Sequence, residues 1–227
     1  WNQSSKACLH IYYCKILPKQ KYAGKLLQKE LIVIDKILDK GKKPILAILG
    51  GAKVSSKLQI INNLIEQVDK IIIAGGMAFT FIKANGGEIG DSICEPSLIP
   101  QAKSILEKAK RLNKQIYFPE DVLAGNDFNK STEEKVFNIS NIENGWMGMD
   151  ISTKTIAVFE KVIMSSNTIF WNGPMGVFEK EKFSEGTRQI CKVLKKAKDK
   201  RKYVIVGGGD SIAGLKNFGN ANWVNYI

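Results

Sequence analysis

Short apolar runs rich in β-branched residues recur along the chain, separated by stretches whose apolar positions fall at helical spacing. The runs predict strands at residues 45–49, 70–74, 115–118, 168–171 and 203–206, with 223–227 as a short sixth. The amphipathic stretches predict helices at 23–38, 54–68, 77–85, 98–113, 153–165, 183–200 and 211–218. In the last long helix Ile190, Val193, Leu194 and Ala197 trace one apolar stripe. Strands that are apolar at nearly every position need cover on both faces, so the alternation predicts a parallel sheet between two layers of helices. Residues 118–150 break the alternation. That stretch is polar and turn-rich, carries a short strand signal at 135–139, and is expected outside the main sheet.

A chain of 227 residues suffices for one large domain or two small ones. No run approaches the roughly 20 apolar residues that span a bilayer. The beginning, WNQSSKACLHIYYCKILPKQK, lacks the pattern of a secretory signal. It also lacks an initiating Met, and the chain reads as a fragment or a processed product. Cys8, Cys14, Cys94 and Cys191 form no CxxC pair, and with His10 the only histidine a zinc site lacks its fourth ligand. Thiols of this kind suit a reducing cytoplasm.

The net charge of +12 raises the prospect of nucleic-acid binding. The basic residues are nearly all Lys, however, with Arg only at Arg111, Arg188 and Arg201, and Arg is the usual bidentate reader of bases. The densest cluster, residues 192–202, reads as the solvated end of a helix. A basic nucleic-acid-binding protein therefore stands as an alternative. The positive field is expected to serve mainly in attracting anionic metabolites.

In open α/β sheets ligands bind at the carboxyl ends of the strands. Four strand ends here carry unusual sequences: ILGGAK, IAGGMAF, FWNGPMGVFE and VGGGDS. Any one glycine pair is explained by a tight turn, but the set describes a bare-backbone floor that a flat, phosphorylated ligand could approach. No Walker A loop and no complete GxGxxG fingerprint is present. Lys53 and Lys57 are spaced to share one face of a helix beside its N-terminus, where unpaired N–H groups and the dipole favour an anion. Asp210 either caps the following helix or serves Mg²⁺ on a polyphosphate. Beside two lysines the metal reading is preferred. Asn172 is placed to donate to a phosphate oxygen or to satisfy the turn into Pro174. Glu179 suits ribose hydroxyls, with a surface Glu as the plainer reading. Phe170, Trp171 and Phe178 read as core.

At these residues the chain resembles the phosphoglycerate kinase family. ILGGAKVSSK, IIIAGGMAFTFIKA, NGWMGMD, IFWNGPMGVFEKEKFSEGT and VIVGGGDSIA occur in order, with the spacing of the family's C-terminal half. YAGKLLQKEL resembles the start of its interdomain helix. The resemblance covers residues 17–227. It implies a three-layer αβα Rossmann-like domain over residues 43–227, an interdomain helix at 22–42, and an unmatched remnant at 1–21.

It further implies phosphoryl transfer between 1,3-bisphosphoglycerate with ADP and 3-phosphoglycerate with MgATP, in glycolysis and in the cytoplasm. On that basis Lys53 and Gly209 would face the transferring phosphoryl group, and Lys57 would hold nucleotide phosphates. Gly51, Ala52, Gly75, Gly76, Gly148 and Met149 would shape the adenine and ribose pocket. Asn172, Pro174, Gly176, Val177 and Glu179 would continue it. Gly207, Gly208, Gly209 and Ser211 would meet the phosphates, and Asp210 would serve Mg²⁺. Family members are monomers, and the resemblance implies no nucleic-acid or membrane partner. The acid-binding domain of the family and its STGGGA turn are not found, so this polypeptide is expected to bind nucleotide and to transfer phosphate poorly alone. A non-catalytic nucleotide-binding module is the other alternative.

Overall fold

The computed structural model describes residues 41–130, 133–218 and 223–224. The strand β1 is Ile45–Leu49, followed by helix α1 (Leu58–Gln67), β2 (Lys70–Ile73), α2 (Met77–Ala84) and the two-residue β3 (Glu88–Ile89). Next come α3 (Ile99–Arg111), β4 (Gln115–Tyr117), β5 (Asp121–Gly125), β6 (Glu134–Asn138), β7 (Asn141–Ile142) and β8 (Met147–Ile151). The chain continues through α4 (Thr153–Met164), β9 (Thr168–Asn172), α5 (Glu185–Asp199), β10 (Tyr203–Gly207) and α6 (Gly209–Phe218). The expected helix at 23–38, Cys8, His10 and Cys14 lie outside the described residues. Of the expected sixth strand only Trp223 and Val224 are described, and they pack against the core without joining the sheet.

The five-stranded sheet has the order β10-β9-β1-β2-β4, and every pairing in it is parallel. Side chains alternate between its faces. Ala47, Leu49, Ile71 and Ile73 point to one side, where they meet α1, α2 and α3 through residues such as Ile61, Phe81 and Ile105. Leu46, Ile48, Ile72, Ile169 and Trp171 point to the other, against Phe159 and Ile163 of α4 and Ile190 and Leu194 of α5. Both faces are thus covered, which is why β1 is buried at every position. Each such aliphatic side chain contributes about 1.5–3 kcal/mol by leaving water. The three-layer αβα architecture expected from the alternation is the one observed.

The excursion at 118–150 forms a separate antiparallel sheet, ordered β6-β5-β8, beside the first helical layer. It is tied to α4 by Asp121, whose carboxylate accepts the Lys154 N–H at 3.1 Å and the Thr155 N–H at 2.8 Å, both orphan donors of the helix start.

Strand order decides where a ligand can enter. From β1 the chain proceeds to β2 and β4 on one side, and returns to β9 and β10 on the other. The order reverses between β1 and β9, so a crevice opens there beyond the strands' carboxyl ends.

Candidate nucleotide site at the carboxyl edge

The loops after β1 and β9 meet closely at this crevice. Gly50 N–H donates to the Asn172 carbonyl at 2.9 Å, and Gly51 N–H to the Pro174 carbonyl at 3.1 Å. A Cβ on Gly50 would stand 2.0 Å from the Pro174 oxygen, and one on Gly173 2.1 Å from the Gly50 oxygen. Gly75 and Gly76 are similarly confined, against Gly51 and against Ile93 and Ala52. These glycines are needed because two backbones touch. Open space lies instead beside Gly209, where a Cβ would meet nothing within 4 Å, and beside Gly51, whose nearest neighbour is the Lys57 side chain at 3.9 Å. The bare floor expected from the glycine pairs is therefore narrower than their number suggests.

Lys53 and Lys57 do not share a helix face. The helix α1 starts at Leu58, with Lys57 as its N-cap. Residues 54–57 form a turn, closed by Lys57 N–H to the Val54 carbonyl at 2.8 Å and by the Ser56 hydroxyl on the Lys53 carbonyl at 2.8 Å. A serine hydroxyl competes with helical pairing in this way. Lys57 reaches across the crevice and donates through Nζ to Oδ1 of Asn172 at the end of β9. Asn172 is fully buried. Lys53 lies exposed on the loop.

Glu95, which the sequence reading passed over, steadies that loop by accepting the Ser55 N–H at 3.0 Å. Burial pushes its carboxyl up, but hydrogen bonds from Ser55 and Val54 and the nearby Lys53 charge outweigh this and hold it below its ordinary value. Ile93 was also missed. It is 43% exposed and sits over Gly76, a large apolar side chain open to solvent beside the glycine loop. Its only sequence signal is an isoleucine two residues before Glu95 in a loop.

On the far side, α6 begins at Gly209, so Asp210 stands exposed in its first turn. Ser211 turns inward: it is fully buried, and its Oγ accepts the Gly173 N–H at 2.5 Å. Gly207 and Gly208 lie against Phe170 and Asn172. Phe170, Trp171 and Phe178 are buried, as expected of core residues.

The remaining wall joins β8 to the loop after β9. Gly148 leaves room for the Phe79 ring, whose Cζ a Cβ would approach to 2.3 Å. Met149 is buried, and its carbonyl accepts the Val177 N–H at 2.8 Å. Beside them Asp150 is 4% exposed, its carboxylate taking the Gly186 N–H at 2.7 Å and the Ile151 N–H at 2.9 Å. Burial pushes this carboxyl up to about 7, the two N–H donors oppose the shift, and Glu185 adds to it. Glu179 is exposed at the rim.

A parallel sheet with a glycine-lined crevice at its switch point, a lysine bridging that crevice and a helix start opposite defines an open α/β domain with a candidate ligand site at its carboxyl edge. The phosphoglycerate kinase family model matches residues 6–227, and the chain belongs to that family. It is 44% identical over 209 residues to the phosphoglycerate kinase of Campylobacter concisus, covering 92% of this chain and 52% of that protein. With that of Finegoldia magna the figures are 44% over 213 residues, 94% and 53%. The solved phosphoglycerate kinase of Coxiella burnetii superposes with a TM-score of 0.81 at 36% identity, over 90% of this chain and 52% of that one. The chain thus spans about half the length of the relatives it matches. Among the described residues, no helix is long and apolar enough to cross a membrane.

Proposed function

We propose that the chain binds MgADP and MgATP at the carboxyl edge, as the nucleotide half of phosphoryl transfer between ATP and 3-phosphoglycerate. The observation that carries this reading is the Lys57–Asn172 bridge over the switch point, flanked by the open backbone of Gly51 and Gly209. Lys57 and the N–H groups at the start of α6 would hold the phosphates. Lys53, exposed on the loop, would neutralise charge on the phosphoryl group in flight, with Gly209 opposite it. Gly148, Met149, Pro174, Gly176, Val177 and Ile93 would border the adenine and ribose, and Glu179 would accept from ribose hydroxyls.

The donor set suits a magnesium ion that arrives with the nucleotide. Among the described residues there is no cluster of three or more His, Cys, Asp or Glu side chains able to cage a metal. Asp210 supplies one hard oxygen beside the phosphate shelf, and Mg²⁺ commonly takes one or two carboxylates and completes its shell with water and phosphate. The ion would supply charge neutralisation on the phosphate oxygens.

The phosphoglycerate would be held by the family's other domain, with the protein acting as a cytoplasmic monomer. Calorimetric titration of the chain with MgADP tests the core of this reading. Saturable one-site binding is expected. The absence of binding, together with salt-sensitive binding of duplex DNA, would replace it with the nucleic-acid alternative.

A further inference from the structure

A buried carboxyl stands between the two segments that form the adenine and ribose wall. Asp150, at the end of β8, directly follows Gly148 and Met149. Its Oδ1 occupies the space that a side chain at Gly176 or at Gly186 would need, since a Cβ on either would lie 2.2 Å from it. The carboxyl is therefore sandwiched between the loop after β9 and the first turn of α5. Oδ2 accepts from Gly186 N–H, an orphan donor of that helix start, and Oδ1 from Ile151 N–H. The same junction is drawn together by Val177 N–H on the Met149 carbonyl at 2.8 Å and Met175 N–H on the Thr187 hydroxyl at 3.1 Å. Of these contacts, the Val177–Met149 bond joins two residues proposed to border the adenine and ribose.

We propose that Asp150 is a positioning residue: its carboxylate fixes the spacing between the Gly148–Met149 strand end and the Gly176–Glu179 loop, and so sets nucleotide affinity without touching the nucleotide. The proposal rests on the nucleotide reading of this edge. Only the ionised carboxyl is an acceptor at both oxygens. Protonation turns one oxygen into a donor facing an N–H, and the clamp loosens. The group changes state near neutrality, because burial raises its pKa to about 7. Glu185, one residue before Gly186, acts on it through space and is itself paired with Arg188 at 3.1 Å. Of the other charged groups on adjoining elements, Glu179 and Lys180 lie on the loop, and Glu181 and Lys182 follow it. Asp121 on β5 is committed to the start of α4.

The test compares MgADP affinity of the wild-type chain and Asp150→Asn, an amide of the same shape that stays neutral, between about pH 6 and pH 8.5. Taking the ratio of the two affinities cancels the titration of ADP itself. At the upper end the variant is expected to bind about three- to tenfold more weakly, the worth of one charge-assisted hydrogen bond transmitted to the site. At the lower end the ratio should fall to within about twofold, because the wild-type carboxyl is then neutral as well. A ratio that is constant across this range, or variant affinity equal to wild type at the upper end, overturns the proposal.

If neither chain binds MgADP, the nucleotide reading has failed, and amide exchange decides the positioning claim separately. Exchange at Val177 and Gly186 that is faster in the variant above neutrality than its global unfolding free energy accounts for supports the clamp; exchange that tracks global stability in both chains overturns it. Should the Asn variant not fold, the Gly186 amide of the wild-type chain carries the same test. Its resonance and that of the Val177 amide must shift together with one midpoint near pH 7, and a shift at Gly186 alone overturns the clamp.

Discussion

Lys57 crosses the crevice between β1 and β9 to donate its Nζ to the buried Oδ1 of Asn172. A neutral amide accepts from an ammonium group without cancelling its charge. The bridge thus holds a cation at the one place on the sheet edge where strand order reverses, and keeps it attractive to an anion. It also fixes the lysine's long stem, which lowers the entropy lost when a phosphate binds.

Because the two side chains act as a unit, their substitutions should not add. Lys57→Ala is expected to weaken MgADP binding about tenfold or more, the value of one charged contact to phosphate. Asn172→Ala should weaken it less, since the charge remains but swings freely. In the double variant the loss should match Lys57→Ala alone, and calorimetry on all three chains measures the coupling.

Lys53 should behave differently. It is exposed, so Lys53→Ala is expected to change unfolding free energy by no more than about 0.5 kcal/mol. In a chain that also carries the acid-binding domain, the same change should reduce turnover about a hundredfold or more while ADP affinity shifts little, as for a group that acts on charge developing in transfer. A parallel loss of affinity and turnover would make it a plain binding residue.

Two glycines of the same edge separate structural from ligand-facing roles. Gly173→Ala drives a Cβ to 2.1 Å from the Gly50 carbonyl at a φ of +105°, and should cost roughly 3 kcal/mol or more in chemical denaturation. Gly209→Ala adds a methyl where nothing lies within 4 Å, in the first turn of α6. Stability should stay within about 1 kcal/mol of wild type, while MgADP affinity falls because the methyl occupies the phosphate shelf.

The contrast shows where the sequence was legible. β1 and the central strands were readable because both of their faces are buried, which leaves a continuous apolar run with no ambiguity of period. The start of α1 was misplaced by four residues, from Val54 to Leu58, because the Ser56 hydroxyl and the Lys57 N–H close a local turn that apolar periodicity does not register. The short antiparallel sheet was expected only as an excursion with one strand, since β6 is exposed at four of its five positions and leaves a faint alternation. For the site, a glycine's residue type cannot reveal whether a ligand or another loop lies against it. That depends on strand order, which places Gly50 against Gly173 although they are far apart in the chain. Asp150 carried no signal, because its burial is created by Gly176 and Gly186 from a different part of the sequence.

That buried carboxyl also has a consequence for stability. Its pKa rises from 3.8 to about 7 in the folded chain, so between those values the native state holds a proton that the unfolded state has released. Its contribution is complete below the lower value and is lost as pH rises, at about 1.4 kcal/mol per pH unit, until the folded pKa is passed. Above that point the carboxyl is ionised in both states and its contribution no longer changes. Chemical denaturation of wild type and Asp150→Asn at about pH 5, 6, 7 and 8 isolates the effect, since other carboxylates cancel in the difference. The wild-type advantage should decline up to about pH 7 and then level off. A difference independent of pH would mean the group does not titrate there. A residue kept only to cap α5 would do so without this penalty as a neutral amide, so a measured decline marks stability given up to hold a charged acceptor beside the ribose wall.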